Sequence, residues 1–214
     1  MLQSSRQPFA LTRSHRSGGV EGNDRLTASA GAALFLLLAA EGVTIVFIRP
    51  LLSAHVFIGM LLIPPVALKL ASTGWRFLRF YAGNADYRAK GPPLLPLRML
   101  APLVVASTLM VLATGVALLV VGPGGGFVLG LHKASFVVWL VATGIHVLAY
   151  VWRVPSLAAA DWRAGPRAAA VSGSFARRTL LAGALVAGVV LALVTVRYAH
   201  AWVNWAEIFR GHDG

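Results

Sequence analysis

The sequence contains no cysteine. This absence excludes disulfides, thiolate metal sites, iron–sulfur clusters and the covalent attachment of haem through a Cys-x-x-Cys-His motif. Any haem in this protein would have to be held by non-covalent ligands. Acidic residues are also rare, with seven Asp and Glu among 214 residues, and charged residues of both signs make up only 12% of the chain.

Long apolar runs occupy most of the sequence, of which 57% is hydrophobic. They cover residues 26–48, 51–70, 99–121, 127–152 and 179–196. Each run is about as long as the roughly 20 residues that an α-helix needs to cross a bilayer. We therefore predict an all-α integral membrane bundle of five transmembrane helices. Residues 1–25 are predicted to form a flexible cytoplasmic tail and residues 199–214 a short outer interfacial tail.

Basic residues are concentrated in alternate segments between these runs. The formal net charge is +12, and fourteen of the nineteen Lys and Arg residues lie before the first run, between the second and third, or between the fourth and fifth. Loops rich in Lys and Arg stay in the cytoplasm, so the pattern predicts an amino terminus inside and a carboxyl terminus outside. The charge excess thus records orientation and contact with membrane lipid, and it does not indicate nucleic acid binding.

Three histidines lie within the apolar runs: His55 in the second, and His132 and His146 in the fourth. An unpaired polar side chain in hydrocarbon costs several kcal/mol, so such residues usually face the interior of a bundle and serve a function. His132 and His146 are fourteen positions apart in the sequence. On an α-helix this spacing places the two rings on nearly the same face, about 21 Å apart along the axis.

His55 and His132 lie at the same predicted depth, near the outer ends of two antiparallel helices. This arrangement suits two axial imidazoles with a flat porphyrin between them, and Gly59, one turn after His55, would let the ring approach the backbone. Iron with two imidazole ligands has no open position, so such a site would transfer electrons. The alternative is a pair of structural histidines, each with its own hydrogen-bond partner.

Three other charged residues are candidate contacts of the same site. Glu41, in the outer half of the first run, is either a proton-relay or haem-environment carboxylate or a protonated acid bonded to a neighbouring helix. Lys69, near the inner end of the second run, is a candidate relay residue or a snorkelling lysine. Arg197 could contact the carboxylates of an outer cofactor or anchor the chain at the membrane interface.

The pattern of His132 and His146 on the fourth helix, with His55 and Gly59 on the second, resembles the membrane cytochrome b subunits of the bacterial cytochrome b561 type, including those of hydrogenases and formate dehydrogenases. The resemblance covers roughly residues 26–153. It implies that His55 and His132 ligate one haem b. In that family the second helix-four histidine, here His146, pairs with a histidine on the first helix, which this sequence lacks. His146 is therefore left to pair with an unusual ligand such as Lys69 or to serve the structure.

The same resemblance implies a multi-pass protein of the bacterial plasma membrane that passes electrons between a redox partner protein and the quinone pool. It would be an electron-transfer component of an oxidoreductase and not a stand-alone catalyst. Two other functions remain open from the residues alone. One is a small transporter or proton conductor that uses Glu41, Lys69 and the histidines as a relay. The other is a membrane anchor for a soluble partner.

Overall fold

The computed structural model describes residues 18–91, 95–152, 154–162 and 171–204, and every regular element in these ranges is helical. Within these ranges seven α-helices follow in chain order: α1 Gly18–Val46, α2 Ile48–Tyr81, α3 Ala85–Ala89, α4 Leu95–Val121, α5 Gly126–Tyr150, α6 Val154–Ala158 and α7 Ser174–Thr195. Two 3₁₀ turns, Ala159–Asp161 and Val196–Ala199, follow α6 and α7. Five helices are long and apolar enough to cross a membrane: α1, α2, α4, α5, and α7 with its continuation to Asn204. The predicted all-α class and the five long apolar helices are thus confirmed.

The helix ends differ from the predicted spans. α1 begins at Gly18, so residues 18–25 of the predicted flexible tail are helical, while residues 1–17 lie outside the described ranges. A cluster of charges accounts for this extension, because Asp24 pairs with Lys90 and lies 3.5 Å from Arg76. The apolar pattern of the sequence identifies only the part of a helix that suits hydrocarbon. Ion pairs stabilise the polar parts of these helices that extend past the apolar runs. For the same reason α2 runs on to Tyr81, well past the predicted end at residue 70.

Contacts between side chains fix the directions of the long helices. Thr27 donates to Ser72 (2.9 Å) at the side where α1 begins, here called the amino side, whereas the far end of α1 meets the beginning of α2. α4 and α5 form a second antiparallel pair, in which the Trp139 indole donates to Thr108 at 3.1 Å. The Trp202 indole, beyond α7, donates to the Leu118 carbonyl near the end of α4 at 3.0 Å. Successive long helices therefore alternate in direction, as a multi-pass bundle requires.

α2 lies at the centre of the bundle, packed along both α1 and α7. α5 packs along α4 and has little direct contact with α2. Large apolar side chains such as Leu36 and Leu148 are exposed on the long helices. Exposed apolar surface of this extent is typical of contact with lipid.

Two consecutive prolines, Pro64 and Pro65, lie in the middle of α2. Proline has no backbone N–H, so Pro65 leaves the carbonyl of Leu61 without its usual intrahelical donor. Gly188 of α7 covers this carbonyl so closely that a Cβ at position 188 would overlap the Leu61 oxygen. The glycine therefore allows two backbones to meet where one of them has an unsatisfied polar group.

Candidate functional site

His55 and His132 come together on the far side of the bundle. His55 lies near the beginning of α2 and His132 near the beginning of α5, and their ring centroids are 6.4 Å apart with planes inclined at 75°. The structure therefore brings together the two histidines that sequence depth paired. It does so although the helices that carry them have little direct contact.

The ring of His55 is held from α1. Glu41 Oε1 lies 2.9 Å from His55 Nδ1, and Thr44 Oγ1 lies 3.2 Å from the same nitrogen. The Thr44 hydroxyl donates to the Glu41 carbonyl at 2.6 Å, and both residues are buried. An ionised Glu41 carboxylate only accepts hydrogen bonds, so beside it a neutral His55 donates through Nδ1–H and keeps a free lone pair on Nε2.

The ring of His132 is held from α4 in an equivalent way. Thr114 Oγ1 lies 3.0 Å from His132 Nδ1 and donates its own proton to the Met110 carbonyl at 2.7 Å. The hydroxyl oxygen therefore accepts from His132 Nδ1–H. Both histidines of the pair thus have Nδ1 engaged by a neighbouring helix, an arrangement that favours the tautomer with Nε2 free as a metal ligand.

The spacing of the rings agrees with two imidazoles that bind one metal ion from opposite sides. Metal–imidazole bonds are about 2 Å long and a ring nitrogen lies about 1 Å from its ring centroid, so such centroids are about 6 Å apart. The observed 6.4 Å matches this separation. Both Nδ1 atoms have hydrogen-bond partners in the protein, so the two histidines do not need a cofactor to satisfy these atoms. The spacing of the rings and the engagement of both Nδ1 atoms are the features that favour a metal between them.

Two glycines border the pair, and they differ in how tightly they are packed. Gly59 was expected to make room for a flat ring, but the space beside it is bordered by Glu41, whose Oε1 would lie 3.5 Å from a Cβ at position 59. Gly115 of α4 faces His132, where a Cβ would lie 3.3 Å from Cε1 of the ring. Gly115 is therefore the tighter position.

His146 and Lys69 lie toward the amino side and do not bond to each other. Lys69 Nζ donates to the Thr27 carbonyl at 2.7 Å, so the lysine is tied to the backbone of α1. The His146 ring contacts Tyr150 at a centroid distance of 5.0 Å. Within the described ranges, His146 Nδ1 and the neighbouring Thr143 hydroxyl are buried without a hydrogen-bond partner. In this structure Lys69 is thus engaged by the backbone of α1.

Arg197 lies at the far end of α7. Its guanidinium lies over the ring of Tyr198 at 5.0 Å and donates to the Tyr198 hydroxyl at 3.1 Å. Both groups are exposed, an arrangement that resembles an interfacial anchor more than a contact to an enclosed cofactor.

Thr114 and Thr44 are the site residues that sequence reasoning missed. A signal for Thr114 was present, since it lies seven residues before the end of α4 while His132 lies six residues after the beginning of α5. Residues equally far from a tight turn between antiparallel helices lie at the same depth. Thr44 lies three residues after Glu41, but nothing in the sequence indicated that it contacts a histidine.

Comparison of the chain with protein-family models, with curated proteins and with solved structures found no match. The resemblance to cytochromes of the b561 type therefore remains a prediction that depends on the pattern of histidines and glycine. The main structural evidence for function is the geometry of the His55–His132 pair.

Proposed function

We propose that this protein is a membrane electron-transfer subunit that binds one haem b between His55 and His132. The observation that carries the proposal is the 6.4 Å separation of two imidazoles that come from different helices and that each have Nδ1 engaged by a neighbouring residue. Haem bound in this way would supply a one-electron carrier closed to oxygen and substrates, because both axial positions would be filled.

The donor set favours haem over a bare metal ion. Within the described ranges, no group of three or more His, Asp, Glu or Cys residues is placed to hold a metal. A site with two protein ligands suits a metal whose other four ligands belong to a macrocycle. α5 has little contact with α2, so the two histidines are brought near each other by the contacts of α2 with α4, on which α5 packs.

The surrounding residues have distinct positioning roles in this proposal. The Glu41 carboxylate orients the His55 ring and increases the basicity of its Nε2. Thr114 orients the His132 ring as a neutral acceptor. If His55 and His132 hold a haem, His55 would carry a charged partner and His132 a neutral one, so Glu41 would be the stronger influence on the reduction potential.

The remaining parts of the proposal depend on the sequence pattern and on the five apolar helices. The excess of Lys and Arg on the amino side favours an amino terminus in the cytoplasm of a bacterium. A redox partner protein and the quinone pool are the electron donor and acceptor that the family resemblance suggests. Lipid surrounds the long helices.

A proton relay is the competing function, and the arrangement of polar contacts favours it less. Glu41, Thr44 and His55 form one connected group on the far side. Lys69 belongs to a separate group on the amino side with Thr27. His55 and Lys69 are fourteen residues apart on α2, which is about 21 Å along the axis, and in the described part of the chain no hydrogen bond joins the two groups.

The test is the absorbance of protein purified from cells with an ample haem supply. We expect a b-type spectrum that changes on reduction, with about one haem per chain. His55→Ala and His132→Ala should each abolish it, whereas His200→Ala, at an exposed position beyond α7, should leave it unchanged. A colourless wild-type preparation would refute the proposal.

Loss of colour in an alanine variant could also come from misfolding. A second measurement separates the two causes: His132→Gly should regain the spectrum when imidazole is added, since the free ligand can occupy the space of the lost ring. Recovery identifies ligation. Failure of imidazole to restore colour in a variant with wild-type thermal stability would count against His132 as a ligand.

A further inference from the structure

A groove opens on the amino side of the bundle, far from the histidine pair. It lies between α1 and the segment formed by α6 and its following 3₁₀ turn, with a volume of about 440 Å³. Its walls are apolar and made largely of small side chains: Ala32, Ala33 and Leu36 of α1, and Pro155, Ala158 and Ala159 of the opposite segment. We call this feature the alanine groove. Alanine side chains leave a smooth channel in which a flexible hydrocarbon chain can pack.

One end of the alanine groove is basic. Ser29, Trp162 and Leu181 line both the groove and an adjoining cleft to which Arg177 and Arg178 also belong. None of the described residues that line the groove or the cleft is acidic. Ser29 and Leu36 are seven residues apart on α1, so the groove extends about 10 Å from this basic end toward the middle of the helix.

The two arginines differ in what they can offer a ligand. Arg177 is buried and donates to the Ser172 carbonyl at 2.8 Å, which makes it part of the fold at the start of α7. Arg178 is exposed and lies over the Trp162 ring at 5.6 Å, with a contact to Ser174 at 3.4 Å. A guanidinium stacked on an aromatic ring is held in position while its remaining N–H groups can bind phosphate oxygens.

We infer that the alanine groove binds an anionic phospholipid, with one acyl chain between α1 and α6 and the phosphate at Arg178. The groove matches such a molecule along its length. Arg178 and the Trp162 indole lie where the headgroup would be, and the alanines lie deeper in the bundle. A quinone would match the apolar part equally well. The quinone head is uncharged, however, so a bound quinone would not explain why a basic residue lies at the end of the groove. The inference is independent of haem binding.

The experiment compares lipid retention by the detergent-solubilised full chain, measured by native mass spectrometry with added phosphatidylglycerol or phosphatidylcholine. We expect the wild-type protein to retain phosphatidylglycerol preferentially. Arg178→Gln should reduce this preference about fivefold, the effect of one basic residue near anionic lipid. Arg79→Gln is the matched control, because Arg79 also lies over an indole, that of Trp75, at 5.5 Å but outside the groove.

A second pair of variants tests the acyl-chain part of the groove. Ala33→Leu should fill it and reduce retention of both lipids, whereas Ala106→Leu, at an exposed position on α4, should not. Equal retention of the two lipids by the wild type would overturn the inference, as would equal losses in Arg178→Gln and Arg79→Gln. A third outcome would identify a quinone site instead. In that case a short-chain quinone would displace phosphatidylglycerol, and Arg178→Gln would leave the lipid preference unchanged.

Discussion

Thr114 Oγ1 lies 3.0 Å from Nδ1 of His132 and has already given its own proton to the carbonyl of Met110. The Thr114 hydroxyl, together with the Val111 backbone of the same helix, thus orients a histidine on α5. The pair with His55 depends on this contact, because a His132 protonated at Nε2 could not ligate a metal through that atom.

Replacement of Thr114 by valine keeps the shape of the side chain and removes the acceptor. We expect Thr114→Val to weaken haem binding by about 10- to 100-fold, the usual cost of losing a partner of a metal ligand. The measurement is a titration of apoprotein with haem, followed by absorbance. Thr108→Val is the control, since Thr108 also donates to its own helix but accepts from Trp139. Equal effects of the two changes would argue against a special role for Thr114.

Glu41 gives the second prediction, which concerns the reduction potential. Glu41→Gln retains an acceptor oxygen for His55 Nδ1–H but removes the negative charge that lies 2.9 Å away. Since a nearby negative charge favours ferric over ferrous haem, its removal should raise the midpoint potential. A redox titration monitored by absorbance measures the change. Glu21→Gln, on the same helix at the amino side, should leave the potential where it is; a fall or no change in Glu41→Gln would contradict the assignment.

Gly115 tests how tightly the ring of His132 is packed. Gly115→Ala places a Cβ 3.3 Å from His132 Cε1, so the ring must shift. We expect lower haem occupancy and a loss of about 1–3 kcal/mol of stability, as in other overpacked cores. Gly144→Ala, where a Cβ meets no atom within 4 Å, provides the matched control for spectrum and thermal stability. An unaltered spectrum in Gly115→Ala would show that the space beside His132 can admit a methyl group without displacing the ring.

His146 should be dispensable for haem binding. Its Nδ1 is buried without a hydrogen-bond partner in the described part of the chain, and its ring contacts Tyr150. Replacement by leucine removes an unsatisfied polar group, so His146→Leu should retain about one haem per chain and match or exceed the wild-type melting temperature. Haem content and thermal unfolding check this together. A wild-type ratio near two that falls to one in the variant would instead identify a second haem held by His146.

Gly188 gives a prediction that is independent of any cofactor. A Cβ at this position would overlap the Leu61 carbonyl of α2, so Gly188→Ala must separate two helices at the centre of the bundle. The expected loss is at least the 1–3 kcal/mol typical of overpacking, measured by thermal unfolding in detergent. Gly183→Ala lies on the same helix in open space and should be neutral or slightly stabilising. Equal stability of the two variants would mean that α2 and α7 are not pressed together at this point.

The sequence predicted the number and type of the long helices because their apolar length is a direct physical requirement of crossing a bilayer. It did not indicate how far the helices extend beyond these runs, where Asp24 with Lys90 and the polar start of α1 continue them. It also paired His55 with His132 from depth alone. Glu41 was predicted only as a general contact of this site, and the depth of Thr114 was overlooked. Depth alone does not show which ring a side chain meets, because that depends on how each helix is rotated about its axis.

The contact of Gly188 with Leu61 has a consequence for biosynthesis. α2 emerges second among the five long helices and α7 last, yet the carbonyl that Pro65 leaves exposed on α2 is covered by α7. Until α7 has been inserted, that carbonyl lacks its cover on α2. Variants that lack α7 should therefore be substrates for membrane quality-control proteases, so the insertion of one helix decides whether the rest of the bundle persists.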